Sequence, residues 1–288
     1  MQAVLGNVMS AGAIANSLQR TAVHLERPAH EILCDLRRSR VIGSDETGFR
    51  VEGENWWLWT LQNPESSYFA IADTRAGDVL EGLMFAAVAE VWCCDLHAGQ
   101  LKAPARRFSI CNAHQLRDLQ YAIEAGDTVF APPMQVLLRE GLQLAQARDT
   151  HSQPDYQQAV DNLKAKARAL LELTPRQTDA VRLQKRFRKH FEAIWHFLDR
   201  ADVPFTNNAS ERALRPAVIH RKVIGGFRSE AGATAYALYR TVEDTARKRG
   251  QNILKTLYQA LTGSAAVYIS KCNREHLPII KSVDCTNP

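Results

Sequence analysis

Apolar side chains recur at three- and four-residue spacing at Ile14, Leu18, Ala22 and Leu25, with Ser10 placed to cap the first turn. A second helical pattern follows Pro28, so residues 10–39 predict two helices. A strand-rich stretch comes next. Val41 to Val51, Trp56 to Leu61 and Ser67 to Ala72 read as strands, parted by the turn-forming runs Glu52-Gly53-Glu54-Asn55 and Asn63-Pro64-Glu65. The result is an antiparallel meander. Helical spacing returns at Val79, Leu80, Leu83, Met84 and Ala87, predicting a helix from Arg75 to Ala89. Val91 to Cys94 forms a short apolar strand that ends at Asp95, Arg107 to Cys111 a fifth strand, and Asn112 to Glu124 another helix. A right-handed crossover from the meander would lay the fourth strand beside the first and make Asp45 and Asp95 neighbours.

From 127 to about 200 no strand pattern persists, and Gln135 to Arg148, Tyr156 to Leu173 and Thr178 to Leu198 read as helices. A helix around Glu211 follows just ahead of Pro216, and Arg221 to Phe227 reads as extended or looped. A long helix then runs from a Ser229 cap to a Gly250 terminator with Ala235, Leu238, Val242 and Ala246 on one face, and Ile253 to Leu261 forms a last short one. The expected organisation is N-terminal helices over 1–40, the first part of an α/β domain over 41–126 and an all-helical insertion over 127–200. The remainder of the α/β domain, with the glutamate helix, covers 201–262, and a weakly patterned tail covers 263–288.

A chain of 288 residues, 45% hydrophobic, can bury a sizeable core. Glu81 and Glu90 interrupt the most apolar stretch, and the start lacks the pattern of a secretory signal, so no membrane association and a cytoplasmic location are expected. Six cysteines show no framework spacing and read as reduced thiols, and Cys111-Asn112-Ala113-His114 has a Cys-x-x-His spacing without a second pair nearby. The net charge of +5 favours a nucleic-acid partner only weakly. Its distribution matters more: Arg182, Lys185, Arg186, Arg188 and Lys189 form one cluster, which reads equally well as a solvated face, and Arg212, Arg215, Arg221, Lys222 and Arg228 surround Glu211.

Glu211 is therefore the acidic centre of a cationic segment, while Asp45 and Asp95 each sit in a strand or at a strand end. Two divalent ions about 4 Å apart repel by roughly 4 kcal/mol even in bulk water, so a pair of them needs close anionic ligands. Three carboxylates with open positions suit a pair of magnesium ions that cleave phosphodiesters. Arg212, Arg215, Arg221 and Lys222 are then candidates to hold phosphates. Plainer readings stand beside these. Glu211 also has capping-box spacing from Asn208 and ion-pair spacing to Arg215, Asp45 could form a strand-end turn, and Asp95 could cap the segment at Leu96. Asp73, Asp78 and Glu46 are rival carboxylates, Glu46 pointing to the opposite sheet face from Asp45.

Three segments, Asp45-Glu46-Thr47-Gly48-Phe49-Arg50-Val51, Cys111 to Leu119, and Val203-Pro204-Phe205-Thr206-Asn207-Asn208-Ala209-Ser210-Glu211-Arg212-Ala213-Leu214-Arg215-Pro216, resemble the transposases of the insertion-sequence 66 family. Arg221-Lys222, Phe227, Ser229, Gly232 and the helix to Gly250 continue the likeness, which covers roughly residues 10 to 262. The resemblance implies an α/β DDE catalytic domain with a ribonuclease-H-like mixed sheet, three antiparallel strands then helix-strand-strand, and a helical insertion before the last acidic residue. It implies Asp45, Asp95 and Glu211 as catalytic metal ligands for two Mg2+ ions, for which Mn2+ can substitute. Arg212 and Arg215 would lie near DNA phosphates, and Asn207 and Asn208 would orient the glutamate helix or touch DNA. Arg221 and Lys222 join the DNA-binding set. Around Asp95 the chain departs from the family pattern, with His97 and Gln100 where aromatic residues are usual. It also starts almost at the catalytic domain, so a truncated copy without the usual N-terminal DNA-recognition region is expected.

The implied function is cleavage of DNA at the ends of a mobile element and strand transfer into target DNA, in the nucleoid, by a homo-oligomer; whether companion proteins of the element take part stays open. Two alternatives remain open: a nuclease of the same fold without strand transfer, and a noncatalytic DNA-binding remnant that represses intact copies.

Overall fold

The first strands are buried in continuous runs, such as Leu58 to Gln62 and Ser67 to Phe69, because both faces of the sheet are covered. In the computed structural model, which describes residues 9–263, strands β1 (Val41–Val51), β2 (Glu54–Gln62) and β3 (Ser67–Ala72) form the expected antiparallel meander. Ahead of it lie α1 (Ala11–Ala22) and α2 (Glu26–Arg37), and after it come α3 (Asp78–Met84), β4 (Ala89–Cys94), β5 (Ala105–Ile110) and α4 (Asn112–Glu124). Then follow α5 (Ala131–Gln146), α6 (Gln153–Leu170), α7 (Thr178–Lys189), α8 (Phe191–Trp195), α9 (Asn208–Ile224), α10 (Glu230–Lys248) and α11 (Ile253–Thr262). The fold is mixed α/β, with a five-stranded sheet of order β3-β2-β1-β4-β5. No described helix is long and apolar enough to cross a membrane. Cys34, Cys93, Cys94 and Cys111 are buried free thiols, whereas Cys272, Cys285 and the weakly patterned tail lie outside the described residues.

Several boundaries differ from the sequence reading for local reasons. Glu52 and Gly53 both take positive φ, 54° and 87°, so the first hairpin turns on two residues and β2 starts at Glu54 rather than Trp56. Helix α2 begins at Glu26 and holds Pro28 in its first turn, where a missing N–H leaves no helical bond broken. Helix α3 is half the expected length, because Phe85 and Ala86 enter the left-handed region and end it. The long pattern from Thr178 to Leu198 splits at His190 into α7 and α8. The largest difference is in α9, which runs through Pro216 to Ile224 and puts Arg221 and Lys222 on a helix instead of a loop.

The chain divides into two compact units. The first holds the described residues up to Ala89, Ala98–Pro104, and those from Ala209 onward, and the second holds Glu90–His97 and Ala105–Asn208. In the first unit, Phe49, Leu58 and Phe69 on the meander pack against Ala213, Leu214 and Ala217 of α9 and Ala237 of α10. Helix α10 runs beside the outer edge of β3. Its Thr245 and Thr241 hydroxyls accept the N–H groups of Ser67 (3.1 Å) and Phe69 (3.0 Å), satisfying donors that a bare edge would leave open. The Ser229 hydroxyl caps α10 by accepting the Gly232 N–H at 3.1 Å, and Gly250 follows it with φ 64°, as the sequence implies.

The second unit is largely helical. Phe130 and Phe187 meet edge to face, and Phe197 meets Phe205 in the same way. Asp127 closes the turn before α5, its carboxylate accepting the N–H groups of Phe130 and Ala131. The α7 basic cluster proves structural in part: Arg182 pairs with Asp179, Arg186 with Asp118, and Arg188 with Glu172.

Candidate functional site

Asp45 is the fifth residue of eleven in β1 and pairs across the meander with Thr60, so it is no strand-end turn former. Its Oδ1 accepts the neighbouring Glu46 N–H at 2.9 Å. Strand alternation puts Asp45, Thr47 and Phe49 on one face, and the Phe49 ring fixes which face that is, because it packs on α9. Glu46 points to the other side. There its side chain, 1% exposed, accepts Arg75 at 2.7 Å and the Gln100 amide, while Gln100 also accepts the Ser44 hydroxyl. Those partners account for the Glu46 carboxylate as a structural group.

Helix α9 crosses the Asp45 face with its buried stripe of Ser210, Ala213, Leu214 and Ala217 downward. Small side chains at 213 and 217 let the helix backbone approach the sheet closely. Three polar attachments fix it, two to the strands β1 and β2 and one to α10. At its start, Gln62 of β2 donates its amide to the Ser210 hydroxyl at 3.3 Å. At its middle, Arg240 of α10 reaches the Ala213 carbonyl at 3.3 Å. Near its end, the Arg221 guanidinium donates to the Gly48 carbonyl, with Thr47 Oγ1 at 3.5 Å. The strand then continues the grip: Phe227 and Arg50 exchange a 2.7 Å bond, Phe227 N–H to Arg50 carbonyl, and the Glu52 N–H returns one to Phe227 at 3.0 Å. Gly226 permits this approach, since a Cβ there would meet the Arg50 carbonyl oxygen at 2.5 Å.

These attachments order α9 along the strand. Gln62, opposite Gly43, meets Ser210, whereas Gly48 meets Arg221. Asp45 lies between those two rows and Glu211 between Ser210 and Arg221, with one Glu211 carboxylate oxygen buried. Arg212, Arg215 and Lys222 are exposed, and Arg221 is partly buried in its bond to β1.

The Gln62 side chain is held in turn by Lys248 at the end of α10, whose ammonium donates to Gln62 Oε1 (2.8 Å) and to the carbonyls of Asn63 (2.7 Å) and Ser66 (3.2 Å). Burial lowers the Lys248 pKa to about 8, Asp244 works against that shift, and nearby Arg212 adds to it. Sequence reasoning misses Gln62, Arg240 and Lys248. Each stands far from Glu211 in the chain, and nothing in the local pattern separates a buried Arg on an amphipathic helix from a solvated one.

In the second unit, Asp95 follows β4 directly and its Oδ1 accepts the His97 N–H at 2.9 Å, the local capping role that the sequence also allows. Cys111 and His114 lie at the start of α4. Burial pushes the Cys111 thiol up, but hydrogen bonds from the His114 side chain and the Asn207 N–H (3.2 Å to Sγ) outweigh it, leaving the pKa below the usual thiol value. Asn207 is buried and Asn208 exposed.

His220, on α9, stacks on Tyr236 at 4.7 Å and an interplanar angle of 4°, with Phe227 at 5.3 Å and Phe49 at 6.3 Å. Burial lowers its pKa below the ordinary imidazole value. The unfolded chain therefore takes up a proton at about pH 6.5 while the folded chain does not. The stability this group contributes is present above that pH and is lost as pH falls through the folded value. Burial lowers the pKa values of His190 and His196 too, which adds to the same trend. We expect urea midpoints to fall from pH 7 to pH 5, and His220→Phe to flatten part of that fall; an unchanged slope would refute the role given to this ring.

An α/β domain whose long helix carries a glutamate across an aspartate-bearing strand defines the class. The sequence matches the Transposase IS66 family model over residues 1–235, and the chain belongs to that family. None of the proteins of curated function matches it.

Proposed function

We propose that the protein is a DDE-type transposase that cleaves DNA at the ends of its element and joins the freed 3′-hydroxyl to target DNA. The observation that carries this reading is the placement of Asp45 on the strand face that α9 covers, between two fixed attachments that bracket Glu211. Carboxylate oxygens are hard donors of the kind that magnesium prefers, so the donor chemistry fits a pair of such ions held by Asp45, Glu211 and Asp95. When bound, the ions would supply activation of the attacking oxygen and stabilisation of the leaving one.

The residues of the chain itself divide the remaining work. Arg212 and Arg215, three apart on the exposed side of α9, bind phosphate oxygens bidentately, and Lys222 extends this cationic side as a point charge. Asn208, exposed at the first position of α9, contacts DNA, whereas Asn207, buried just ahead of it, leads the chain into the helix, its main-chain N–H bonded to the Cys111 sulfur at 3.2 Å. Arg221 serves the same end by fixing α9 to β1. The active form on DNA is a homo-oligomer, as joining two element ends requires.

The deciding assay mixes the protein, labelled DNA bearing the ends of its element, an unlabelled target and Mg2+ or Mn2+. Joined product is expected. Nicks without joining would instead identify a nuclease, and binding without cleavage a noncatalytic DNA-binding protein.

A further inference from the structure

Arg240 is a charged side chain only 4% exposed, on the helix that packs beside α9. Its guanidinium makes three kinds of contact. It pairs with Glu243 (2.7 Å) and Asp244 (3.4 Å) on its own helix, lies 5.3 Å over the Phe69 ring, and donates to the Ala213 carbonyl of α9 at 3.3 Å. The carboxylates do not depend on it. Arg247 also pairs with Glu243 (2.5 Å) and Asp244 (2.9 Å), so losing Arg240 leaves neither acid without a cation. What Arg240 alone supplies is the bond to α9.

That bond falls where α9 is weakest. Pro216 has no N–H to offer the Arg212 carbonyl four residues earlier, which removes one rung of the helical ladder beside Ala213 and one residue beyond Glu211. A helix interrupted there can bend at the proline, and a bend would carry the first turn, with Glu211, away from the strand, a tilt that the 3.3 Å Gln62–Ser210 bond opposes only through two side chains. Small side chains at 213 and 217 give little resistance to such a tilt. A guanidinium stacked on Phe69 and held by two acids is a rigid donor, so it fixes the carbonyl position to which it is bonded.

We infer that Arg240 is a positioning residue that clamps the proline-interrupted α9 so that Glu211 stays over the Asp45 face. This rests on the metal-binding role proposed for those carboxylates. The experiment compares wild type with Arg240→Met, which keeps the length and loses the donors, and Arg240→Lys, which keeps one charge. Hydrogen exchange should speed up at the amides of 211–215 and 217 in Arg240→Met, while amides of β1 and β2 stay protected. Mn2+ titration followed by electron paramagnetic resonance should show affinity about tenfold weaker, with partial recovery in Arg240→Lys.

Unchanged exchange in α9 with unchanged Mn2+ affinity would overturn the inference, and so would a uniform rise in exchange across the first unit, which marks a merely structural role. Asp45→Asn serves as the control: if it binds Mn2+ like wild type, the metal reading fails, and α9 exchange in Arg240→Met then decides the clamp by itself. Should Arg240→Met not fold, the exchange and Mn2+ affinity of Arg240→Lys decide the matter on the same terms.

Discussion

Asp45→Asn is expected to abolish Mg2+-dependent cleavage and strand transfer, by about 10³-fold or more, while leaving the fold intact. The size follows from the several kcal/mol of charge stabilisation that a metal contributes to phosphoryl chemistry, each ~1.4 kcal/mol being tenfold in rate. The fold survives because the amide side chain keeps the shape of the carboxylate and the oxygen that accepts the Glu46 N–H at 2.9 Å. Joined and nicked products on a labelled end measure the loss, and a urea midpoint within about 0.5 kcal/mol of wild type shows that folding is unaffected. An Asp45→Asn protein that still joins ends would remove Asp45 from the reaction and the metal assignment with it.

Phe49→Ala should cause the largest loss of stability, about 3–5 kcal/mol. The ring is 2% exposed and sits between the sheet and α9, stacked on Phe227 at 5.1 Å and near Tyr236 at 6.2 Å. Its other neighbours include Ala213 and Ala217, whose short side chains cannot extend into the cavity. The backbone of α9 is held at both ends, by Gln62 and by Arg221, so it cannot collapse inward either. Urea unfolding should show a lowered midpoint, and Phe49→Leu should restore most of the difference. A loss below ~1.5 kcal/mol would mean that this cluster is not the seat of α9.

The order of elements was legible because the period of the pattern changes sharply along the chain. Val41 to Val51 and Ser67 to Ala72 emerge with the boundaries that the flanking turn-forming runs set, and Asn112 to Glu124 emerges as the expected helix. Boundaries set by backbone conformation were not legible. Nothing in Phe85 or Ala86 announces left-handed φ, and Pro216 argues locally against the helix that packing against Phe49 and Leu58 sustains.

The candidate carboxylates were readable as residue types, since Glu211 stands among cations and Asp45 in a strand. Their support was not, because Lys248, Arg240 and Gln62 meet α9 only through tertiary packing. Among the proposed DNA contacts, the sequence could not distinguish Arg221, turned inward to Gly48, from Arg215, which is exposed.

The threonine hydroxyls that α10 lends to β3 restrict how copies of this protein can meet. With those main-chain donors already taken, a neighbouring molecule finds no ladder to extend there. A second copy therefore cannot add a strand to this sheet at Ser67 and Phe69.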